Sequence, residues 1–203
     1  MDIIESFDLI RDILGTPNPA TYQKIQPCLN ARMMRFVEKS PLAMFATVDA
    51  EGFPTISPKG DEPGFIKVRD ARTLLLPERK GNKLAFSLEN LMGHPEAALI
   101  LMIPGTPETL RIHGRCRVIR DEVLNRELAS ATQDALLVME MSVVKCYFQC
   151  AKAFLRSKAW SPESWGPREK VSFGEEIFGT SADARDAAQS LDSGVDERYK
   201  TDL

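Results

Sequence analysis

The segment from residue 74 to residue 90 carries residue types that can bind a phosphate monoester. Its sequence, LLLPERKGNKLAFSLEN, predicts a strand, a cationic loop and then a helix. A helix N-terminus offers unpaired N–H groups and the positive end of a dipole, and Arg79 can direct two donors at phosphate oxygens. Gly81 lets the backbone approach a ligand closely, while Ser87 and Asn90 lie about one turn apart on the helix, where they can face a ligand's polar edge. The alternative is a solvated basic loop that caps a surface helix.

A second candidate is the stretch ISPKGDEPG, residues 56–64, in which Pro58, Gly60 and Pro63 interrupt an extended run. Proline inside a sheet is confined to edges and bulges, and glycine often marks the close approach of another group. The pattern therefore predicts a bulge that presents its backbone and the Lys59 ammonium to a flat ring. The alternative is an ordinary hairpin loop, since loops collect proline and glycine.

The third candidate is CYFQCAKAFLRSKAW, residues 146–160. Lys152, Arg156 and Trp160 are spaced four residues apart, so they share one face if the stretch is helical. Two cations and an indole can hold an anion or stack on an aromatic ring. The alternative is an amphipathic covering element whose basic side chains reach solvent.

A fourth feature is a row of basic residues that alternates with apolar ones in the predicted strand ETLRIHGRCRVI. The row consists of Arg111, His113, Arg115 and Arg117. It is a weak nucleic-acid stripe because aromatic side chains are absent from that face. A solvated outer face, or an interface with acidic residues of another subunit, explains the row more economically.

The cysteines and histidines argue against a metal centre. The four cysteines, Cys28, Cys116, Cys146 and Cys150, form no CxxC pair, and the two histidines are His94 and His113. A structural zinc site is therefore not expected, and no metal ligand is predicted. Packing of the thiols is favoured over a Cys nucleophile with a His base, because no local signature supports such a pair.

These candidates need elements that bring them together. Apolar spacing and capping residues predict helices over residues 1–14, 29–39, 83–93 and 122–132. Short extended runs between turn residues predict strands over residues 44–48, 53–57, 65–68, 73–76, 97–103, 110–118 and 135–148, with Gly52 in the first hairpin turn. Six or seven strands joined mostly by hairpins indicate an antiparallel barrel, because parallel sheets need a helix at nearly every return. The chain then divides into a helical cover over residues 1–40, a barrel over residues 41–160 and an extension over residues 161–203 that is flexible after about residue 181.

Charge and hydropathy exclude several classes of partner. The 26 Lys and Arg residues against 29 Asp and Glu residues give a net charge of −3, and the six acidic and three basic residues after position 180 account for all of it. Without a basic excess, nucleic acid is not expected as a partner. No apolar stretch is long enough to span a membrane, and the acidic N-terminus is unlike a signal peptide. The sequence therefore predicts a cytoplasmic protein with no membrane partner.

Three blocks of the chain, in this order, resemble the pyridoxamine 5'-phosphate oxidase-like flavoproteins, the FMN-binding split barrels. They are ATVDAEGFPTISPKGD, TLLLPERKGNKLAFSLENLMGHPEAALILMIPG and ETLRIHGRCRVIRD. The chain is most similar to a bacterial branch with SPKGD and LP-x-R-x-GN blocks, of which the closing CYFQCAKAFLRSKAW block is also typical. The resemblance covers about residues 40–160 and implies a mainly β fold with flanking helices, a six- to seven-stranded antiparallel split barrel of the FMN-binding type. Family members are usually homodimers that bind two FMN molecules at the subunit interface.

The resemblance also implies which residues bind FMN. It assigns the phosphate to the loop around residues 79–83 and the isoalloxazine ring to the strand at residues 57–60. A cation near flavin N1 stabilises the anionic reduced form and raises the reduction potential. The predicted cofactor-binding set, which includes two cations of the third candidate, is Ser57, Pro58, Lys59, Gly60, Arg79, Gly81, Asn82, Lys83, Ser87, Asn90, Lys152 and Arg156. No catalytic residue is predicted.

The activity implied by the resemblance is that of an FMN-dependent oxidoreductase, which passes hydride between flavin N5 and a small organic substrate or a nicotinamide donor. The alternative on the same fold is a non-catalytic module that holds flavin, deazaflavin or haem for storage, sensing or delivery. A structural or dimerisation barrel is the third possibility. Pyridoxamine 5'-phosphate oxidases proper have a C-terminal block with an Arg and a His for the substrate phosphate, and the ending GVDERYKTDL does not contain it. Vitamin B6 oxidation is therefore not the expected reaction.

Overall fold

Seven antiparallel strands form the body of the protein. The computed structural model describes residues 1–202. The strands are β1 (Leu42–Val48), β2 (Pro54–Gly60), β3 (Lys67–Asp70), β4 (Thr73–Glu78), β5 (Glu96–Met102), β6 (Thr109–Ile119) and β7 (Leu137–Gln149). They are hydrogen-bonded in the order β2-β1-β5-β6-β7-β4-β3, and every neighbouring pair is antiparallel. The predicted fold, a mainly β antiparallel barrel with flanking helices, is confirmed.

Helices lie before, between and after the strands. They are α1 (Phe7–Leu14), α2 (Ala20–Gln23), α3 (Ala31–Lys39), α4 (Phe86–Gly93), α5 (Glu122–Glu127), α6 (Lys152–Ser157), α7 (Phe173–Phe178) and α8 (Arg185–Thr201). Within the described chain only α4 and α5 interrupt the run of strands, so most strand connections are direct. Both are shorter than the sequence predicts, because α4 begins at Phe86 and α5 ends at Glu127.

The β1–β2 hairpin forms where the sequence predicts it. Gly52 has a φ of +89°, a conformation that glycine adopts without steric cost. The Asp49 side chain accepts hydrogen bonds from the backbone N–H groups of Glu51 (3.1 Å) and Phe53 (2.8 Å). These contacts fix the turn and therefore the register of β1 against β2.

The two ends of the sheet meet without backbone pairing. Strand β3 pairs with β4 only up to Leu75, so the described chain gives residues 76–78 no strand neighbour on that side. Lys59 of β2 nevertheless reaches Glu78 of β4, with Nζ 2.6 Å from Oε2. The barrel is therefore open between the end of β2 and the end of β4, and we call this opening the split.

The core lies inside the barrel, and α3 covers part of it. Asn30 caps α3 by accepting hydrogen bonds from two backbone N–H groups, and Met33 and Val37 are buried with the inward side chains of the strands. Helix α1 is different because none of its residues is buried. The covering role predicted for residues 1–40 is therefore seen only for α3 in this chain, and for α1 it stays a prediction.

Strand β2 is regular where the sequence predicts a bulge. Its register with β1 runs without a shift from Pro54 to Gly60, and Pro58 lies opposite Met44. Proline is tolerated there because β2 is the terminal strand of the sheet and needs no hydrogen-bond donor on its free side. The predicted bulge around Pro58 is wrong, and one instead lies in β6 between His113 and Gly114.

The C-terminal extension contains two helices that pack against each other. The backbone N–H of Gly174 in α7 donates to Asp192 in α8 at 2.8 Å, and the Ser172 hydroxyl donates to the same carboxylate. A Cβ on Gly174 would lie only 2.1 Å from the carbonyl oxygen of Ala188. Residues 185–201 form a helix that the sequence pattern did not predict, and the flexibility expected after about residue 181 stays a prediction.

Among residues 1–202 no helix is long and apolar enough to cross a membrane. The same residues contain no group of three or more His, Cys, Asp or Glu side chains arranged to hold a metal ion.

Candidate functional site

A cleft of about 380 Å³ lies at the split, and we call it the split cleft. It is lined by residues 57–60 of β2, Phe65, residues 77–82 at and after the end of β4, and residues 84–88 at the start of α4. The two segments singled out in the sequence, around Lys59 and around Arg79, therefore meet in one place. Ligand pockets commonly have volumes of roughly 300–1,000 Å³, so the size suits a small organic molecule.

Arg79 is a mostly buried cation of this cleft. Its Nε donates to Oδ2 of Asp61 at 2.8 Å, and the Arg79 side chain is only 18% exposed. Its Nη1 is buried and has no hydrogen-bond partner. Buried donors are normally satisfied, and leaving one unpaired costs about 1–3 kcal/mol. The guanidinium therefore has a donor available for an acceptor that the chain itself does not supply.

Lys59 lies in the cleft but does not present a free ammonium. Its Nζ is 2.6 Å from Oε2 of Glu78, and both side chains are mostly buried. The pair is close to neutral as a unit, so the charge expected from Lys59 alone is offset at short range. The cleft lining contains three cations, Lys59, Arg79 and Lys80, and each of them is paired with a carboxylate.

The loop that joins β4 to α4 carries backbone strain at two positions. Lys83 and Ala85 have φ values of +66° and +55°, a region that residues with a side chain rarely adopt. Each such residue costs on the order of 1 kcal/mol, and strained residues cluster at ligand-binding loops. Ala85 precedes α4 directly, and no side chain caps the helix there.

Gly81 is not required by the fold of this loop. Its φ lies outside the left-handed region, and a Cβ added to it would meet no atom within 4 Å. The left-handed residues of the loop are Lys83 and Ala85. The close approach expected at Gly81 can therefore concern only a ligand.

Ser87 and Asn90 lie on α4 but have different surroundings. Ser87 lines the split cleft, and its hydroxyl is 3.0 Å from that of Ser57 across the split. The Asn90 amide nitrogen donates to the hydroxyls of Thr47 (2.9 Å) and Thr55 (2.8 Å). Asn90 therefore ties α4 to the β1–β2 hairpin and lies outside the lining of the split cleft.

The structure brings eight of the twelve predicted cofactor-binding residues into the split cleft. These are Ser57, Pro58, Lys59, Gly60, Arg79, Gly81, Asn82 and Ser87. Lys83 belongs to the same loop but is not part of the lining, and Asn90 lines a separate pocket with Asp49 and His94.

The other two predicted residues, Lys152 and Arg156, are exposed on α6 and do not line the cleft of their own chain. Helix α6 ends at Ser157, and Lys158 after it has a φ of +52°. Trp160 therefore does not continue the helical face. Its ring stacks on Phe154 with a centroid distance of 5.4 Å, and its Nε1 donates to the carbonyl oxygen of Thr106 at 3.0 Å.

The sequence analysis did not identify the acidic partners of Lys59 and Arg79. Asp61 and Glu78 stand inside the SPKGD and LPERKGN stretches, next to the residues that were selected. Each carboxylate pairs with a cation of the other stretch, so the pairing depends on the barrel topology. The aromatic lining residues Phe65 and Phe86 were also missed, since nothing in their local pattern separates them from core positions.

The end of α8 contacts the basic loop. Nζ of Lys80 is 2.7 Å from Oδ1 of Asp202, and Gln133 donates to the Asp202 carbonyl oxygen at 3.3 Å. The hydrogen bond from Lys80 holds the pKa of the Asp202 carboxyl below its ordinary value. Lys80 is therefore paired on the surface, whereas Arg79 keeps a buried donor without a partner.

The basic row of β6 lies away from the split cleft. His113 stacks on Tyr147 with a centroid distance of 6.2 Å, and Nζ of Lys24 lies 5.7 Å from the same ring. Partial burial lowers the pKa of His113, and the charges of Lys145 and Arg111 lower it further. The row lies on the outer face of the sheet, as the alternation in the sequence predicts, and Arg115 and Arg117 pair there with Glu96 and Glu140.

The sequence matches the family model described as "Pyridoxamine 5'-phosphate oxidase" over residues 29–150. No curated protein matches the chain.

Solved structures with a similar backbone include HupZ from Group A Streptococcus, which is 18% identical (59% of this chain, 93% of that chain, TM-score 0.48). Another is a candidate pyridoxamine 5'-phosphate oxidase from Lactobacillus delbrueckii, which is 24% identical (60% of this chain, 95% of that chain, TM-score 0.46). A third is an FMN-binding protein from Syntrophomonas wolfei, which is 7% identical (71% of this chain, 97% of that chain, TM-score 0.47). At these identities and TM-scores the likenesses carry no functional conclusion.

The family match and the barrel agree. The matched residues run from the end of the loop before α3 to the end of β7 and so include all seven strands and the whole lining of the split cleft. The chain belongs to the pyridoxamine 5'-phosphate oxidase family of FMN-binding split barrels.

Proposed function

We propose that the protein binds FMN in the split cleft, with the phosphate at the loop of residues 79–82 and the ring along residues 57–60. The observation that carries this proposal is the convergence of these two segments on one cleft that contains a buried, unpartnered guanidinium nitrogen. An anionic ligand oxygen would satisfy Nη1 of Arg79 with a charge-assisted hydrogen bond. A merely solvated loop would not leave that donor buried.

The residues present fit a molecule that combines a phosphate with a flat ring. Arg79, Lys80 and the start of α4 belong to one continuous segment of the lining, where they favour an anion. Phe65, Phe86 and Leu88 supply apolar surface, and the hydroxyls of Ser57 and Ser87 supply polar groups beside it. Such a mixture of apolar walls and a few polar groups is typical of cofactor sites.

We further propose that the protein is an oxidoreductase acting on a small organic substrate or a nicotinamide donor. When bound, FMN supplies hydride transfer at its N5 position. The chain's own residues would bind the phosphate and hold the ring. They would also set the charge around the ring, where the Lys59–Glu78 pair is close to neutral as a unit. No His or Cys lines the cleft in the described chain, so the protein contributes orientation and electrostatics there.

A homodimer is the assembly we propose for this activity. The outer face of the sheet carries Ile56, which is 67% exposed, and its cross-strand neighbour Ala46. Met44 and Ile100 are paired on the adjoining strands and are half-buried. A second copy on this face would cover apolar surface that is otherwise in contact with water. Light scattering should give the mass of a dimer for the wild type and of a monomer for Ile56→Asp; a wild-type monomer would contradict the proposal.

A non-catalytic flavin-, deazaflavin- or haem-binding module is the second candidate. The ion pairs of the cleft favour it, because Lys59, Arg79 and Lys80 are each paired with a carboxylate and leave no unpaired acid or base in the described lining for proton transfer. Haem is the weaker variant, since His94 and His113 both lie outside the split cleft. Steady consumption of NADH or NADPH by the FMN-loaded protein with an electron acceptor would support the enzyme, and its absence would support the module.

The proposed cofactor is tested by a binding titration. The purified protein is expected to show a flavin spectrum, or to bind added FMN more tightly than riboflavin. Arg79→Ala should weaken FMN binding about 10- to 100-fold, because charge-assisted hydrogen bonds contribute about 1.5–3 kcal/mol, and should leave riboflavin binding unchanged. Arg126→Ala, which removes an exposed guanidinium on α5, is the matched control and should change neither. A colourless protein that does not bind added FMN, or an Arg79→Ala variant with unchanged FMN affinity, would contradict the proposal.

A further inference from the structure

We propose that Asp61 is a positioning residue, which orients the Arg79 guanidinium so that its remaining donors meet the ligand phosphate. This inference rests on the proposed FMN site. It assigns a role to a carboxylate that lies beside an anion-binding loop, where a negative charge by itself would weaken anion binding.

The contact between the two side chains is short and protected from solvent. Oδ2 of Asp61 accepts a hydrogen bond from Nε of Arg79 at 2.8 Å. The Asp61 and Arg79 side chains are 17% and 18% exposed, so water competes little for either group. By contrast, the Lys80 side chain in the Lys80–Asp202 pair is 54% exposed, as is usual for surface pairs that contribute little energy.

Asp61 is itself held by the backbone around it. Its Oδ1 accepts from the backbone N–H of Glu62 at 2.8 Å, and its own N–H donates to the carbonyl oxygen of Pro41 at 3.1 Å. The preceding residue, Gly60, packs so closely that an added Cβ would lie 3.3 Å from that same carbonyl oxygen. The carboxylate therefore has a fixed position at the end of β2, on the opposite side of the split from the Arg79 backbone.

This arrangement determines which donors of Arg79 remain for a ligand. Nε is used by Asp61, and Nη1 is buried without a partner. A guanidinium presents its donors in a rigid fork, so fixing Nε also fixes the direction of both Nη groups. Without Asp61 the long side chain would sample several rotamers, and binding would have to order it.

The two possible roles of Asp61 predict effects of opposite sign. If Asp61 only neutralises Arg79, its removal frees a positive charge and FMN should bind more tightly. If Asp61 positions Arg79, its removal disorders the guanidinium and FMN should bind more weakly. Riboflavin, which lacks the phosphate, should be unaffected under the positioning role.

The test is a comparison of FMN and riboflavin affinities for four proteins: the wild type, Asp61→Ala, Asp61→Asn and Glu62→Ala. We expect Asp61→Ala to weaken FMN binding about tenfold, the loss expected for one well-placed charge-assisted hydrogen bond, and to leave riboflavin binding within about twofold. Asp61→Asn should recover part of the loss because its amide oxygen still accepts from Nε. Glu62→Ala removes the same charge from the exposed neighbouring residue and should have little effect.

The outcomes separate this inference from the proposed site. Unchanged or tighter FMN binding by Asp61→Ala, together with a phosphate-specific loss in Arg79→Ala, would overturn the positioning role and leave the FMN site intact. A wild type without preference for FMN over riboflavin would overturn the proposed site itself. Riboflavin binding also reports folding, because a variant that binds riboflavin normally has kept the cleft; if Asp61→Ala does not bind it, Asp61→Asn decides by the same comparison.

Discussion

The barrel is closed in two different ways, at the β6–β7 seam and at the split. Along the seam eleven residue pairs are in backbone register from Thr109–Gln149 to Ile119–Val138. Across the split the strands share no backbone pairs, and the contacts are made by side chains, as in the Lys59–Glu78 ion pair and the Ser57–Ser87 hydroxyl contact. The same sheet therefore has one side with no room for a ligand and one side with a cleft.

The difference shows why the site lies at the split. Apart from the bulge between His113 and Gly114, backbone pairing along the seam is continuous and places the strands about 4.8 Å apart, which leaves no space for a ring. Where pairing stops, polar side chains such as Arg79 complete the wall, and their donors can be directed at a ligand. We therefore expect seam mutations to affect stability and split mutations to affect binding.

The largest expected contrast is between the reactivity of two thiols, Cys116 in the seam and Cys150 beyond it. Burial inside the barrel raises the pKa of Cys116 in β6 from its ordinary value of 9.0 to about 12, so at a given pH near 8 its thiolate is about a thousandfold rarer. Cys150, just beyond β7, is exposed. Maleimide labelling of the native protein at pH 8, read out by peptide mass spectrometry, should modify Cys150 rapidly and Cys116 only after unfolding. Rapid native labelling of Cys116 would show that the seam opens.

The same thiol makes a pH-dependent contribution to stability. Because the folded state holds the Cys116 proton up to a pKa of about 12 and the unfolded state loses it near 9.0, the folded state binds more protons between these values. The unfolding free energy should therefore fall as pH rises above 9, and the fall should be smaller in Cys116→Ala. Urea denaturation at pH 8 and pH 10.5 measures the unfolding free energy of both proteins. An equal fall in unfolding free energy between the two pH values for the wild type and Cys116→Ala would contradict the buried thiol.

The next largest effect is expected from a pair of glycine substitutions. A Cβ on Gly114 in the seam would lie 2.4 Å from the Ser142 carbonyl oxygen and 2.7 Å from Met141 Cγ, whereas a Cβ on Gly81 in the split would meet nothing within 4 Å. Gly114→Ala should lower the unfolding free energy by about 2–3 kcal/mol and Gly81→Ala by about 0.5 kcal/mol or less. Urea denaturation tests both.

The binding effects of the two glycine variants should be reversed. Gly81→Ala should weaken FMN binding if the phosphate approaches the loop backbone, and Gly114→Ala should leave FMN affinity unchanged under conditions where it is folded. A Gly81→Ala variant with unchanged affinity would show that the ligand does not approach this backbone.

A smaller effect is expected from Asn90, which the sequence assigned to the cofactor and the structure places against Thr47 and Thr55. Asn90→Ala should lower the unfolding free energy by about 2 kcal/mol, because two buried hydrogen bonds are lost. FMN affinity should change less than about threefold. A tenfold loss of affinity without a loss of stability would return Asn90 to the cofactor site.

The smallest effect is expected from the ion pair across the split. A double-mutant cycle with Lys59→Met and Glu78→Gln should give a coupling energy of about 1 kcal/mol, because the pair is mostly buried and only 2.6 Å long. The exposed Glu122–Arg126 pair on α5, at 3.9 Å, is the matched control and should give about 0.3 kcal/mol or less. Equal coupling in both cycles would mean that the split is not held by this pair.

The fold was predictable from sequence because the strands have local sequence signals. The alternation in β6 and the turn at Gly52 identify strands and a hairpin without knowledge of distant residues. Helix α8 was missed because it lacks an apolar stripe. Its contact with α7 depends on Gly174 lying against the Ala188 backbone, and close packing of small residues leaves no periodic signal.

The site was only partly predictable for a related reason. Residue types around Lys59 and Arg79 indicated ligand contacts, but the cross-pairing with Glu78 and Asp61 depends on which strands end at the split. Asn90 shows the same dependence, since its amide nitrogen donates to Thr47 and Thr55 of the β1–β2 hairpin, which the local sequence does not reveal. Local sequence specifies the donors available, and topology decides what they meet.

A crystal structure of the protein grown with FMN should show flavin in the split cleft, with phosphate oxygens within hydrogen-bond distance of the Arg79 guanidinium and the ring beside residues 57–60. A flavin bound elsewhere, for example in the pocket lined by Asp49, Glu51 and His94, would contradict the proposed site.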